Sequence, residues 1–469
     1  MIVEKILQSK KNANCILDLE KAVLSNDEGD ILSGINTYQE LLNELHNRNM
    51  IQITPGLDEN EVKYRRWLAD RKNDFVNNLL VYLNHTNEQI QETSIDVLMA
   101  LIKLEGVGRE VWNFPKELFG KIIHELLSAE VDQQANILRF QKYASHDDII
   151  MYTLKTVKAI LDIFDKTEEV TNIFLANLFY LLNVIKYPKK FQTDEPNTLL
   201  PQNNLKEPFF LKKKFFCKLF SDTWLKFLKL QLPFSVLKKV LLILHKRVVP
   251  YLQNPCLLLD FLTDSYDRGG ILSLLSLSSL FFLIDKYNVE YPDFFQKFYS
   301  LTNAEIINGK YSARYFYLCD LFLSSTHVPA YLIAAFAKKL SRIALKSKTD
   351  NILRIIVLVI NFIIRHKSLT IMIHQEIPTD ISEDPFKFEE LDPARSCAMD
   401  SSLWEIKTLQ SHIIPEIARK AKMINHSLPS IELEFHTTLD VSMDSLYKKE
   451  RKRKFEEVAL AVKRPVISS

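Results

Sequence analysis

Apolar residues recur along most of this 469-residue chain at the three- and four-residue spacing of a helix face. Ile35, Tyr38, Leu41, Leu42 and Leu45 fall on one such face. Thr86-Asn87-Glu88-Gln89 reads as a capping box. It opens a helix with Ile90, Ile95, Leu98, Leu101 and Ile102 on the buried side, ended by Gly106. Further helices are predicted over Leu118–Leu127, Ile149–Phe164 and Val170–Ile185. A proline-rich polar break, Tyr187–Pro208, follows. Helices resume over Phe209–Leu230, Ser235–Val249, Asn254–Tyr266 and Ile271–Tyr287, and four more are expected between Pro292 and His366. After a second polar loop, Glu376–Pro393, Ser402-Leu403-Trp404-Glu405 reads as another capping box, with Pro415 kinking or ending its helix.

The pattern predicts an all-α, HEAT/armadillo-like helical-repeat solenoid with a flexible basic C-terminal tail. Its expected parts are N-terminal repeats over 1–190, a linker over 191–208, C-terminal repeats over 209–425, and a tail over 426–469. Only 9 glycines are present, too few for Gly-rich nucleotide loops or a turn-rich sandwich. The runs Val170–Ile185 and Gly269–Ile284 carry no charge, but each falls short of the ~20 apolar residues of a membrane span. They read as buried core helices, and no membrane partner is expected. The N-terminus lacks a signal-peptide pattern.

Chemistry is sparse. Cys15, Cys217, Cys256, Cys319 and Cys397 lie far apart without a CxxC, so each reads as a small core residue in a reducing compartment. No P-loop, HExxH or GxSxG motif occurs, and the histidines show no metal spacing. The expectation is a chain that holds partners together, with no enzymatic activity, no catalytic residue, no metal and no cofactor.

The net charge of +2 leaves binding to local patches. Leu321–Gln375 is the clearest, with Lys338, Lys339, Arg342, Lys346, Lys348, Arg354, Arg365 and Lys367 against Asp350 alone. Lys338, Arg342 and Lys346 stack at i, i+4 and i+8 opposite Leu332, Phe336, Leu340 and Ile343. Such a stripe invites a phosphate or acidic partner. The acidic loop Glu376–Asp392 could equally fold back over it. A second run, Lys206 to Lys229, is interleaved with Phe209, Phe210, Phe215, Phe216, Phe220, Trp224 and Phe227; the aromatics read as core and the lysines as the wet face. A third cluster, Lys448, Lys449, Arg451, Lys452, Arg453 and Lys454, has the pattern of a nuclear or nucleolar targeting signal or of a solvated helix end.

Several long strings between about Asn288 and Pro415 go beyond periodicity. They are Tyr291-Pro292-Asp293-Phe294-Phe295, Lys310 to Phe316, Leu323 to Phe336, Arg365-His366, Ser401-Ser402-Leu403-Trp404-Glu405 and Leu409-Gln410-Ser411-His412. This stretch resembles the CCAAT-binding-factor domain of the nucleolar complex proteins, and the modest length with the SSLWE segment resembles their short branch. Lys367 after Arg-His and the pair Ile413-Ile414 depart from the family's pattern. The resemblance implies a nucleolar factor in small-subunit pre-ribosomal RNA processing and pre-ribosome export. It also implies a stable complex with nucleolar protein 14 in the small-subunit processome, and neither a catalytic residue nor sequence-specific DNA binding. Direct contact with pre-ribosomal RNA is left open.

Within the long string, Ser325 or Thr326 is placed to cap a helix whose first turn holds Pro329, and Ala330, Ala334, Ala335 and Ala337 keep one side thin. Ser324, Ser325, His327, Lys338, Lys339, Arg342, Lys346 and Arg365 are the candidate partner-binding residues. A tightly packed spine is the competing reading of the same segment. A helical-repeat nuclear transport or adaptor protein is the alternative function.

Overall fold

The computed structural model describes residues 2–8, 12–51, 58–106, 114–164, 170–186, 197–200, 212–289, 291, 293–325, 327–374 and 384–452. Among them every regular element is helical. The chain divides into two compact units, Met1–Phe261 and Leu262–Ser469. The division falls inside one helix, Leu259–Asp267, and not at the proline-rich stretch. Part of that stretch is docked: the buried Asp148 carboxylate accepts the N–H groups of Leu199 (3.0 Å) and Leu200 (3.1 Å). The rest, 187–196 and 201–211, lies outside the described residues.

Unit 1 begins with α1 (Ile2–Gln8), α2 (Cys15–Val23), α3 (Glu28–Asn47), α4 (Glu59–Tyr82) and α5 (Glu88–Gly106). It continues with α6 (Lys116–Leu126), α7 (Gln134–Phe140), α8 (Asp147–Phe164), α9 (Asn172–Val184), α10 (Lys213–Lys229) and α11 (Phe234–Arg247). Packing alternates. Helices α3, α5, α7, α9 and α11 each touch the next odd member, and α4, α6, α8 and α10 do the same among themselves. The result is a two-layer array in which each hairpin buries its apolar faces against its neighbours, as the amphipathic spacing requires. Polar clamps set the stacking. Buried Asn177 on α9 accepts from Gln133 N–H (2.9 Å) and donates to the carbonyls of Ser128 (2.9 Å) and Val131 (2.8 Å). Asn136 Nδ2 on α7 donates to Leu83 O at 2.6 Å. The cap of α5 differs from the expected box: Asn87 Oδ1, not Thr86, accepts Gln89 N–H at 2.8 Å.

In unit 2, α12 (Leu259–Asp267) leads to α13 (Gly270–Tyr287), α14 (Phe294–Ser300), α15 (Ala304–Ile307), α16 (Ser312–Phe322), α17 (Ala330–Ala344) and α18 (Thr349–Arg365). Five helices thus stand where four were expected, because Asn303 caps an extra single turn, α15, accepting Ile306 N–H at 2.9 Å. Then come α19 (Trp404–Leu409), α20 (Pro415–Ala421), α21 (His436–Leu439) and α22 (Met443–Lys452). Pro415 opens α20 rather than ending α19, since a first-turn proline lacks only an N–H that the helix does not use.

The apolar run of α18 is explained by its place. It packs against α16, α17, α20 and α21, and Ile355, Ile356, Leu358, Ile360 and Phe362 are fully buried. Helix α13 is long and apolar enough to cross a membrane by composition, yet Leu274, Leu275, Leu277, Leu280 and Leu283 are buried inside unit 2.

The expected flexible tail is corrected for 426–452. Arg354 on α18 donates to the carbonyls of Thr438 (3.3 Å), Leu439 (2.9 Å) and Val441 (2.9 Å). Asn361 exchanges two hydrogen bonds with the Leu433 backbone, at 2.8 and 2.9 Å. Of the cysteines only Cys319 is buried; Cys256 is exposed and the others half-buried, so four of five are not core.

Candidate functional site: a buried charge clasp in unit 2

The basic stripe of α17 turns inward. Lys338 is fully buried, and its Nζ reaches Glu405 Oε1 (2.7 Å), Asp384 Oδ2 (3.0 Å) and Ser402 O (2.6 Å). Arg342, one turn on, places Nε on Glu405 Oε1 (2.8 Å) and Nη2 on Asp384 Oδ2 (2.7 Å). Two cations and two carboxylates form a closed, neutral quartet. The Trp404 ring lies 5.3 Å from Lys338 Nζ and 4.8 Å from the Arg342 guanidinium, adding cation–π attraction.

The acids need holding in place, and their neighbours do it. Asp384 accepts from Ser401 Oγ (2.5 Å), Trp404 Nε1 (2.8 Å) and Phe386 N–H (3.1 Å). Burial pushes the Asp384 carboxyl up, but the Ser401, Trp404 and Lys338 hydrogen bonds outweigh it and hold it well below the usual carboxylate range. The segment read as a capping box has a different task. Leu403 precedes α19 without a side-chain cap, and Glu405 spends its charge on Lys338 and Arg342.

The expectation of an open partner-facing stripe is therefore corrected at its centre. Lys338 is inside, and Lys339 is 5% exposed, with Nζ donating to Tyr299 O (3.3 Å) over the Tyr299 ring. Burial lowers the Lys339 ammonium to about 8, with Glu389 opposing. Lys346 alone of the stripe is exposed. Arg365 makes a two-pronged pair with Glu432 (2.8 and 2.7 Å) and reaches Asp320 at 2.8 Å. The acidic loop does fold back, through Asp384; residues 375–383 lie outside the described set. Ser324, Ser325 and His327 are exposed on the loop before α17. Ser325 Oγ accepts His327 N–H (3.3 Å) and caps no helix, while Thr326 is outside the described residues. Ala334, Ala335 and Ala337 are fully buried, so the thin side of α17 meets its own chain.

In the C-terminal cluster Lys448, Lys449, Arg451 and Lys452 are exposed on α22, and Lys449 pairs with Glu416 at 3.0 Å. Arg453 and Lys454 lie outside the described residues. The aromatics Phe216, Phe220, Trp224 and Phe227 are core, as read. The fold-back reading had included Asp384 within the acidic loop, but sequence reasoning missed Glu405 as a partner of Lys338 and Arg342. The signal for Asp384 was the acid-rich composition of Glu376–Asp392, directly after the basic segment Leu321–Gln375 in sequence. Among the described residues no cluster of His, Cys, Asp and Glu could hold a metal.

An inward charge clasp beneath stacked helices defines a domain in which part of the quoted strings packs inward, as Ala334, Ala335 and Phe336 do, and part, as Ser324, Ser325 and His327, is exposed. Residues 273–421 match the CBF/Mak21 family, and residues 1–169 match the model described as Nucleolar complex protein 4-like, TPR repeats. The class is thus the expected all-α helical-repeat array, its repeats over 1–169 of TPR type, followed in sequence by a CBF/Mak21 domain. A Nucleolar complex protein 4 homolog B from Xenopus laevis is 38% identical over 97% of this chain and 90% of its own length. The Homo sapiens Nucleolar complex protein 4 homolog is 34% identical over 97% and 92%. An uncharacterized Schizosaccharomyces pombe protein is 31% identical over 97% of each. The chain belongs to the nucleolar complex protein 4 family. That membership supports a nucleolar role in ribosome biogenesis.

Proposed function

We propose that this chain is a non-catalytic scaffold in small-subunit pre-ribosomal RNA processing and pre-ribosome export, working in a stable complex with nucleolar protein 14. The observation that carries the reading is similarity to nucleolar complex protein 4 homologues along 97% of the chain. The architecture is consistent with it. Two-layer helical arrays expose long helix surfaces, the usual ground for docking several partners. The strongest ion pairs of unit 2 bind the chain to itself, a structural use of charge. The exposed basic face of α22 is the part of the targeting cluster available to a nuclear import receptor.

The reading is tested by depleting the protein in its source cells and following newly made ribosomal RNA. Small-subunit RNA should fall while its precursors accumulate, with large-subunit RNA still maturing. A defect confined to the large subunit would sink the proposal. Release of bound partners by a nucleotide-loaded GTPase would favour the transport-receptor reading instead.

A further inference from the structure

Charge is evenly matched over the whole chain, with 60 basic and 58 acidic residues, but not at the C-terminal end of unit 1. From Thr171 to Leu258 the described residues hold eleven lysines and arginines and one acid, Asp222. Lys186 follows α9. Lys212, Lys213, Lys214 and Lys218 crowd the start of α10, with Lys226 and Lys229 at its end. Lys238, Lys239, Lys246 and Arg247 line α11, which has no acid at all. The lone acid is spent, because Asp222 pairs with Lys158 of α8 at 2.6 Å. Lys226 in turn pairs with Asp162. Among the described residues Lys186, Lys212, Lys213, Lys246 and Arg247 have no ion pair, and all five are exposed.

The geometry gathers these charges. Lys186, Lys246 and Arg247 rim a groove of about 160 Å³ floored by Phe216, Phe220 and Tyr251. Arg247 Nη1 donates to Asn183 Oδ1 at 2.6 Å, which holds the end of α11 against the end of α9. Lys212 and Lys213, at the start of α10, precede the groove residue Phe216 by one turn in sequence. The ends of α9 and α11 therefore present three cations without an ion pair around one depression, and the start of α10, which supplies Phe216 to it, carries two more. A basic last turn suits the helix dipole of α11, worth at most ~1 kcal/mol on an exposed end. The same holds for Lys186 just past α9, but not for the start of α10, where the dipole disfavours cations.

We infer that this surface binds the phosphodiester backbone of RNA. This deepens the function proposed above by assigning a class of partner to particular residues. Two observations favour RNA over an acidic protein. Protein interfaces are depleted in lysine at their centre and depend on exposed aromatic or arginine anchors. Here ten of the eleven cations are lysine, while Phe216 and Phe220 are buried in the core and unavailable as anchors. Exposed cations spread around the rim of the groove match phosphate contacts, which position without reading sequence.

The test uses purified full-length chain and a fluorescein-labelled single-stranded RNA of mixed sequence, read by anisotropy across a salt series. Wild type should bind with a steep salt dependence. Lys186→Glu with Lys246→Glu and Arg247→Glu should weaken binding at least roughly tenfold and flatten the log–log salt slope by about 2, near 0.7 per lost contact. Lys310→Glu with Lys407→Glu and Lys422→Glu, exposed lysines of unit 2, should leave binding unchanged. If the groove variant loses its helical circular dichroism, Lys212→Gln with Lys213→Gln and Lys214→Gln serves in its place. The inference is overturned if wild type does not bind, if a folded groove variant binds as wild type does, or if poly-glutamate displaces the RNA as well as unlabelled RNA does. Those failures leave partnership with nucleolar protein 14 standing, because that is read by co-purification.

Discussion

A carboxylate as enclosed as Glu405 survives only because two cations share one of its oxygens. Removing a partner from a buried pair leaves an uncompensated charge and typically costs about 3–5 kcal/mol. Lys338→Met should destabilise the fold by that order, read as a lowered urea midpoint, since Glu405 and Lys338 are both fully buried. A loss below about 1 kcal/mol would mean that the clasp is not formed in solution. Lys339 makes a different prediction. Its folded pKa, about 8, lies below its ordinary 10.5. Between those values the unfolded chain binds the extra proton, so this group's contribution to stability rises with pH across that window. Lys339→Met should therefore look best against wild type near neutral pH and lose ground steadily toward pH ~10. A pH-independent gap between the two would contradict the burial of this ammonium. The stripe was legible as a face of α17 from its four-residue spacing. Its direction was not, because the acids that capture it arrive more than forty residues later, Asp384 from a loop and Glu405 from the single-turn-scale helix α19, neither with a periodicity to place it.

At the scale of elements, side-chain amides do the joining. Asn361 mimics a strand edge for Leu433, and Asn177 closes three backbone groups of the turn between α6 and α7. Leaving such buried groups unsatisfied costs about 1–3 kcal/mol. Asn361→Ala should accordingly raise amide hydrogen exchange over 430–441 before it affects α13, and equal protection in both proteins would contradict that docking. Apolar spacing gave α3, α5, α6, α8, α9, α10 and α11 of unit 1, but α1, α2, α4 and α7 were not assigned from it. Short pieces such as α15 and α21 were not either, since one turn carries too few residues to show a period. The packed tail was missed for a related reason. It is held by Arg354, Asn361 and Arg365 reaching out from α18, not by an apolar stripe of its own.

For the whole molecule, the alternating layers of unit 1 and the clasped domain of unit 2 each turn most of their specific polar chemistry inward. What remains outward is helix surface and local charge, which suits a protein that organises others. The class was readable because its strings are long and its helices regular. The basic end of unit 1 was only half readable: the lysines of α10 stood out among aromatics, but α11 and Lys186 joined them only once the hairpins were stacked. The account's central claim is a stable partnership inside nascent small subunits. Its most direct measurement is affinity purification of the tagged chain from nuclear extract through a high-salt wash, followed by mass spectrometry and RNA analysis. Nucleolar protein 14 in near-equal amount, with small-subunit precursor RNA retained at moderate salt, is the predicted result. A chain recovered alone, or with large-subunit precursors only, would contradict it.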